Sequence, residues 1–441
     1  MSSGPKKGVG GRLTGGELRY WPLPRHAWLC GLAALLFYLG LAPSAQATDG
    51  LEPIGLSVQS LLRGGSDVAI GDSALSQIDN PASLRLNRGA VDVAGEFLMP
   101  VTRWRGVYDT SGSSVHCLPL GHIGLALPGN DRFNFGVAAW SKSQIATSFH
   151  LRPAATLGDP QRVNSDMRDF GFAFDGAVSV TDNLALGAGL RCELITGEFL
   201  SLAGPEQVYF GRGYGLGAGF QLGLHYRIVP GLTFGLGYRS PTWFQDLFGE
   251  HSSPAFSNDW QVITPGYPGV DFGRATINDF VLPQKISAGL AWQATNRLRL
   301  SAEGRWLNYE NSSMYRADYN LASSRVNLNS TVGYRDQFAI MAGAEYKLTD
   351  HWTIGGGYHH ASNPISRRAF LPIADMIVVH HLTAGLTYRQ GHWWFGGGYI
   401  LGLPNTLAAA PLTQILLGAD SIRGELRQAQ HSVFVGCGYR W

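Results

Sequence analysis

From Leu298 to Trp306 the chain alternates with a period of two. Leu298, Leu300, Ala302 and Trp306 fall on one face, and Arg297, Arg299, Ser301, Glu303 and Arg305 fall on the other. Only an extended strand separates residues in this way, so the segment requires a sheet with one apolar and one charged face. In a soluble sandwich the apolar face would be core. In a membrane barrel it meets lipid and the charged face lines the lumen. Similar runs lie near residues 91–99, 119–128, 132–141, 167–180, 183–196, 213–228, 231–240, 283–294, 297–310, 336–348, 351–360, 378–390, 392–402 and 430–441. They predict fourteen strands, an even number.

The connections decide between the two environments. Short turns at Gly129-Asn130-Asp131, Thr181-Asp182, Pro230-Gly231, Ala294-Thr295-Asn296, Thr349-Asp350 and Gln390-Gly391 alternate with longer ones, including residues 241–282, 311–335 and 403–429. Outer-membrane barrels have short periplasmic turns and long external loops, so the asymmetry orients the chain and places both termini in the periplasm. The last strand alternates through Val433, Val435, Cys437, Tyr439 and Trp441, and an aromatic end suits recognition by barrel assembly machinery.

The N-terminus has the form of an address. Lys6, Lys7, Arg12, Arg19 and Arg25 precede an apolar run from Ala27 to Ala42, and Ala45-Gln46-Ala47 offers a small-x-small cleavage site. A run of about 16 residues is shorter than the ~20 a spanning helix needs. Residues 1–47 are therefore expected to be a signal peptide, cleaved after Ala47.

Removing the leader changes 34 Lys/Arg and 32 Asp/Glu to 29 and 31, a mature net charge near −2. No basic surplus remains to neutralise phosphates, which excludes nucleic acid as a partner. Cys30 leaves with the leader. Cys117, Cys192 and Cys437 are odd in number and lack metal-ligand spacing. Charged residues make up only 15%, below the ~25% of soluble domains, and 58 glycines suit a barrel. Gly211, Gly213, Gly215, Gly217 and Gly219 are spaced two apart. This leaves one strand face bare for something to pack closely against, and it is not the spacing of a nucleotide loop.

Residues 48–90 do not alternate, yet they are too apolar for a linker. Within them Asn80-Pro81-Ala82 makes a turn, because Pro81 fixes its own φ and pushes Asn80 out of the helical region. The run from Gly64 to Asp72, then Asn80-Pro81-Ala82, then a first strand, resembles the start of FadL-type long-chain fatty acid transporters. Arg239-Ser240-Pro241, Leu282-Pro283, Arg335-Asp336-Gln337, Gly343-Ala344-Glu345-Tyr346, Asn363-Pro364, residues 371–375 and Gly385-Leu386-Thr387-Tyr388 continue the resemblance over residues 60–441. It implies an all-β fold, a 14-stranded antiparallel transmembrane β-barrel (91–441) with an N-terminal hatch, or plug (48–90). It also implies passive uptake of hydrophobic compounds, long-chain fatty acids first among them, with release through the barrel wall. Asn80, Pro81 and Ala82 would be the gating turn.

Trp243, Phe244, Leu247 and Phe248, with Phe256, Trp260 and Tyr267, offer apolar area for ligand capture on an outer loop. A fatty carboxylate inside would need a cation, and alternation turns Arg299, Arg305 and Arg389 toward the lumen. The alternative for these arginines is an internal ion-pair lattice with Glu303 and Glu345. Gly71-Asp72-Ser73-Ala74-Leu75 imitates an esterase nucleophile block, but the chain contains no Asp-x-x-His to activate the serine. His359-His360 and His380-His381 would be solvated rim histidines, with one of each pair inward. No metal, nucleotide or redox cofactor is implied. The expected surroundings are a hydrophobic ligand, the lipid bilayer and lipopolysaccharide, and the chain is expected to be a monomer. A non-transporting barrel serving as scaffold or secretion-system partner is the alternative, which a filled lumen would favour; an outer-membrane lipolytic enzyme is a weaker one.

Overall fold

The computed structural model describes residues 50–106, 109–152, 159–203, 206–249, 253–256, 275–321, 326–330, 333–365, 376–408 and 424–441. The leader, Trp260, Tyr267 and residues 371–375 lie outside them. Fourteen strands form the wall: β1 (Ala90–Arg105), β2 (Leu118–Ala126), β3 (Phe133–Leu151), β4 (Gln161–Ser179), β5 (Leu184–Ala203), β6 (Glu206–Val229), β7 (Leu232–Arg239), β8 (Lys285–Gln293), β9 (Leu298–Leu307), β10 (Gln337–Lys347), β11 (Trp352–Ala361), β12 (His380–Gln390), β13 (Trp393–Ala408) and β14 (Glu425–Arg440). Each is antiparallel to the next. β14 closes on β1 in a continuous register from Ala90↔Arg440 to Arg105↔Glu425. Closure removes the sheet edge, which hydrocarbon could not satisfy.

Alternation sorts the two faces as the sequence predicts. Phe172, Phe174, Leu190, Leu216, Phe338 and Ile340 project outward and are exposed, while Asp92, Glu96, Arg191, Glu193, Glu303 and Arg305 are buried inward. Among the described residues no helix is long and apolar enough to cross a membrane.

Several strands run farther outward than the sequence pattern suggests, and the reason is local. The expected ends at residues 141, 196 and 402 each coincide with a register shift, between Ser141 and Ser143, Gly197 and Phe199, and Gly402 and Asn405. An extra residue inverts the phase of alternation on the strand that carries it, β3 in the first shift, β13 in the third and β6, between Phe210 and Gly213, in the second, so the two-residue pattern breaks although backbone pairing continues. Pro404 sits within the third shift, where a missing N–H is tolerated.

Residues 241–282, expected as an external loop, begin as wall. Thr242–Phe244 and Leu247–Gly249 pair with β6, at Gly217↔Phe244 and Phe248↔Tyr214. The bare glycine face receives these residues: a β-carbon at Gly217 would meet the Phe244 ring at 2.7 Å, and one at Gly215 would collide with Leu247.

Residues 50–84 lie inside the barrel. β-Carbons built at Gly124 on β2, Gly343 on β10 and Gly436 on β14 would meet Ala74, Arg63 and Val58 at 2.7, 2.6 and 2.8 Å, so the segment reaches widely separated parts of the wall. Helix α1 (Val58–Leu62) is fixed by a capping box between Ser57 and Ser60. Two 3-10 turns follow, Ala74–Ile78 and Pro81–Leu86, capped by Ser73 and Asn80.

Candidate functional site

The inner face divides into an ion-paired level and an apolar level. In the ion-paired level Arg63 is the hub, pairing with Asp67 at 2.9 Å, Asp72 at 3.1 Å and Glu345 of β10 at 3.1 Å. Arg299 of β9 reaches the same Asp72 and Glu345, each at 2.5 Å. Glu303 accepts from the backbone N–H groups of Asp67 (2.7 Å) and Val68 (2.9 Å). Arg305 pairs with Glu303 at 2.9 Å and donates to the carbonyls of Ile54 and Gly65.

A second group surrounds Glu52, which pairs with Arg239 and lies 3.7 Å from Lys285 and 3.8 Å from Lys142. Lys285 also binds Asp79 at 2.6 Å, and Lys142 binds Glu193 at 2.6 Å. Burial alone would raise both Asp79 and Asp72. Lys285 and Arg305 outweigh it at Asp79, and Arg63 and Arg299 outweigh it at Asp72, so both stay ionised below the usual carboxylate range. At Asp67 burial wins over Arg63 and pushes the carboxyl up to about 7.

Of the candidate carboxylate-binding arginines, Arg299 and Arg305 therefore hold the lumenal segment to the wall. Arg389 has the inward parity of His381 and Thr383 on β12 and is exposed near the short-turn end. Alternation exposes the inward charges Lys285, Glu303 and Glu345, but Glu52 and Arg63 lie on a segment without periodicity, so their place in the network has no sequence signal.

The turn at Asn80 is fastened in three directions. Its carboxamide oxygen accepts from Ala82 N–H at 3.1 Å, and its nitrogen donates to Val68 O at 2.7 Å and to Leu224 O of β6 at 3.0 Å. Gly187 and Gly223 have no side chain where Ala82 and Asn80 approach.

The apolar level lies toward the long-loop end. Trp104, Phe149, Leu151, Ile195, Leu307 and Leu426, on the outer halves of their strands, form one buried cluster with Phe244, Leu247, Phe280 and Tyr309. Leu51 joins it from the lumenal segment, its N–H donating to the Tyr309 hydroxyl at 2.6 Å. The four candidate capture residues thus separate. Phe244 and Leu247 are buried inside, with the Phe244 and Phe280 rings edge to face at 5.6 Å, whereas Trp243 is 50% and Phe248 37% exposed outside.

Ser73 is engaged as a cap. Its hydroxyl accepts from Leu75 N–H and donates to Asp92 at 2.8 Å, and no histidine is hydrogen-bonded to it among the described residues. The histidine pairs face each other across β11 and β12. His359 and His381 are buried inward rather than solvated: His359 bonds the Gly64 carbonyl of the lumenal segment, and His381 packs edge to face on His359 and bonds Gln430 of β14. His360 and His380 stack outward at 4.6 Å. Among the described residues no group of three metal-ligating side chains forms.

A closed fourteen-stranded barrel containing its own N-terminal segment defines a class of outer-membrane transport protein. The profile of the outer membrane protein transport family (OMPP1/FadL/TodX) matches residues 64–392, and the chain belongs to that family. Among solved structures, a Pseudomonas aeruginosa FadL homologue is similar with a TM-score of 0.75 and 17% identity, over 89% of this chain and 99% of that one. The P. putida toluene transporter TodX gives 0.74 and 16%, over 88% and 99%. The Ralstonia pickettii toluene transporter TbuX gives 0.70 and 19%, over 89% and 100%. At these identities the likeness establishes the fold. A comparison with curated protein sequences finds no match.

Proposed function

We propose that this outer-membrane barrel takes up hydrophobic compounds passively, with long-chain fatty acids as the first substrate class. The observation that carries the reading is the buried apolar cluster at the outer end of the lumen, from Trp104 to Leu426. A diffusion porin has a polar, water-filled interior instead. Trp243 and Phe248 supply exposed apolar area for capture, and the cluster receives the ligand. Residues 48–90 act as the hatch, with Asn80, Pro81 and Ala82 as its gating turn, and release follows through the wall. The protein works as a monomer after removal of residues 1–47 and insertion by the barrel assembly machinery.

Monoaromatic hydrocarbons are the second reading. Arg299 and Arg305 already have carboxylate partners, so a fatty carboxylate would compete with Glu345 or Glu303, whereas toluene needs no cation. Uptake of radiolabelled oleate and toluene by cells carrying or lacking the protein tests both. Faster oleate entry supports the first reading and faster toluene entry the second. If neither rate differs between cells carrying and lacking the protein, transport is removed and a scaffold favoured.

A further inference from the structure

The outward face of β1 is apolar without a break through Val91, Val93, Gly95, Phe97, Met99 and Val101, and then carries Arg103 and Arg105. On β14 the outward face runs from Tyr439 through Cys437, Val435, Val433, His431 and Ala429 to Arg427. Register sets Arg103 directly opposite Arg427. The β-carbons of opposed residues are ~4.5–5.5 Å apart, and like charges in that position repel. Both side chains are exposed, and among the described residues neither has an ion-pair partner.

The surroundings fit an anion between them. Thr406 of β13 lies beside Arg427, and Gly112 lies beside Arg103, where a β-carbon would meet nothing within 4 Å. One step farther out Arg105 faces Glu425, so this corner carries three arginines and one glutamate.

Strand geometry gives the depth. At the short-turn end Tyr439 packs with Trp393 and Trp441 in an aromatic girdle. Arg427 lies twelve residues farther along β14. At ~3.3 Å per residue and a tilt of ~40° this is about 30 Å along the membrane normal, against an apolar band about 25 Å tall. The arginine pair stands just beyond the outer edge of the hydrocarbon, at headgroup depth. Below it, Val101, Met99, Phe97 and Val433 offer a continuous surface for acyl chains.

We propose that Arg103 and Arg427 clamp the phosphate of an outer-leaflet phosphoglycolipid of the lipopolysaccharide type, with Arg105 and Thr406 as flanking donors. Guanidinium groups suit this role because their planar fork binds phosphate oxygens two at a time. A phosphate between the two cations turns a repulsive cross-strand pair into an attractive one. The bare face at Gly112 leaves room for the attached sugar. The clamp is independent of the uptake reading, since binding is measured without transport.

Native mass spectrometry of the purified full-length barrel, titrated with bis-phosphorylated lipid A and with its dephosphorylated form, tests the clamp. The wild type is expected to retain the phosphorylated lipid and to bind the dephosphorylated form about tenfold more weakly. Arg103→Gln with Arg427→Gln should lose that preference, whereas Arg297→Gln at a periplasmic turn should keep it. Retention of the preference by the double variant, or equal binding of the two lipids by the wild type, would overturn the proposal. Displacement of the lipid by millimolar inorganic phosphate would overturn the lipid as the source of the anion. Heat-modifiable migration of the double variant confirms a folded barrel, so lost preference reports the clamp.

Discussion

The ring of Phe244 lies across the bare face of Gly217, its register partner, with only 2.7 Å left for a β-carbon. The glycine row of β6 is therefore the seat of the segment that lines the outer end of the lumen. Gly217→Leu should overpack this contact at a cost of about 1–3 kcal/mol. Thermal unfolding in detergent should show a lowered midpoint, and uptake should fall because Phe244 is displaced from the apolar cluster. A variant with wild-type midpoint and uptake would mean that the contact is dispensable.

Arg63 should be the least replaceable residue of the lumenal segment. Arg63→Met leaves Asp67 without its cation and leaves Asp72 and Glu345 to Arg299 alone. Removing one partner of a buried pair costs about 3–5 kcal/mol. The expected result is a closed barrel with a loosened interior, seen as raised ion conductance in planar bilayers. A silent channel in Arg63→Met would show that these pairs do not hold the segment.

Docking of the segment should weaken as pH rises from about 4 to about 7. Burial holds the Asp67 carboxyl up, to about 7, against the attraction of Arg63, whereas an unfolded aspartate titrates near ~3.9. Between those values the native state keeps a proton that the unfolded chain has lost, so stability falls with rising pH and is level above. Asp72 and Asp79 are shifted downward, and their contribution is lost only below about pH 4. Hydrogen exchange of residues 60–70, corrected for intrinsic rate, should show greater protection at pH 5.5 than at 7.5. Asp67→Asn should remove the difference; if it persists in this variant, another group is responsible.

Asn80→Ala should act on gating more than on assembly. It removes a cap and leaves the carbonyls of Val68 and Leu224 without that donor, a loss of about 1–3 kcal/mol confined to the lumenal turn. Combined with Pro81→Ala, it is expected to slow uptake while the barrel still migrates as a heat-modifiable band. Unchanged uptake in the double variant would take the turn out of the mechanism.

The wall was legible because its signal is local. A strand between lipid and lumen must alternate, so fourteen strands and the inward faces of Arg299 and Arg305 follow from residues two apart. The pattern failed at the shifts after Ser141 and Gly402 and before Gly213, where one extra residue inverts the phase while the backbone remains paired. The division of the capture residues has no sequence signal for a related reason. Phe244 and Phe248 look alike as aromatic loop residues, and only pairing with β6 turns one inward and the other outward.

The sequence by itself determined the barrel, since the choice of face depends on neighbours along the chain. Only the tertiary structure decided what the lumenal charges do. Asp72 and Arg299 pair although 227 positions separate them. Coulombic partnership depends on distance through space, which the closed barrel and its enclosed segment set together.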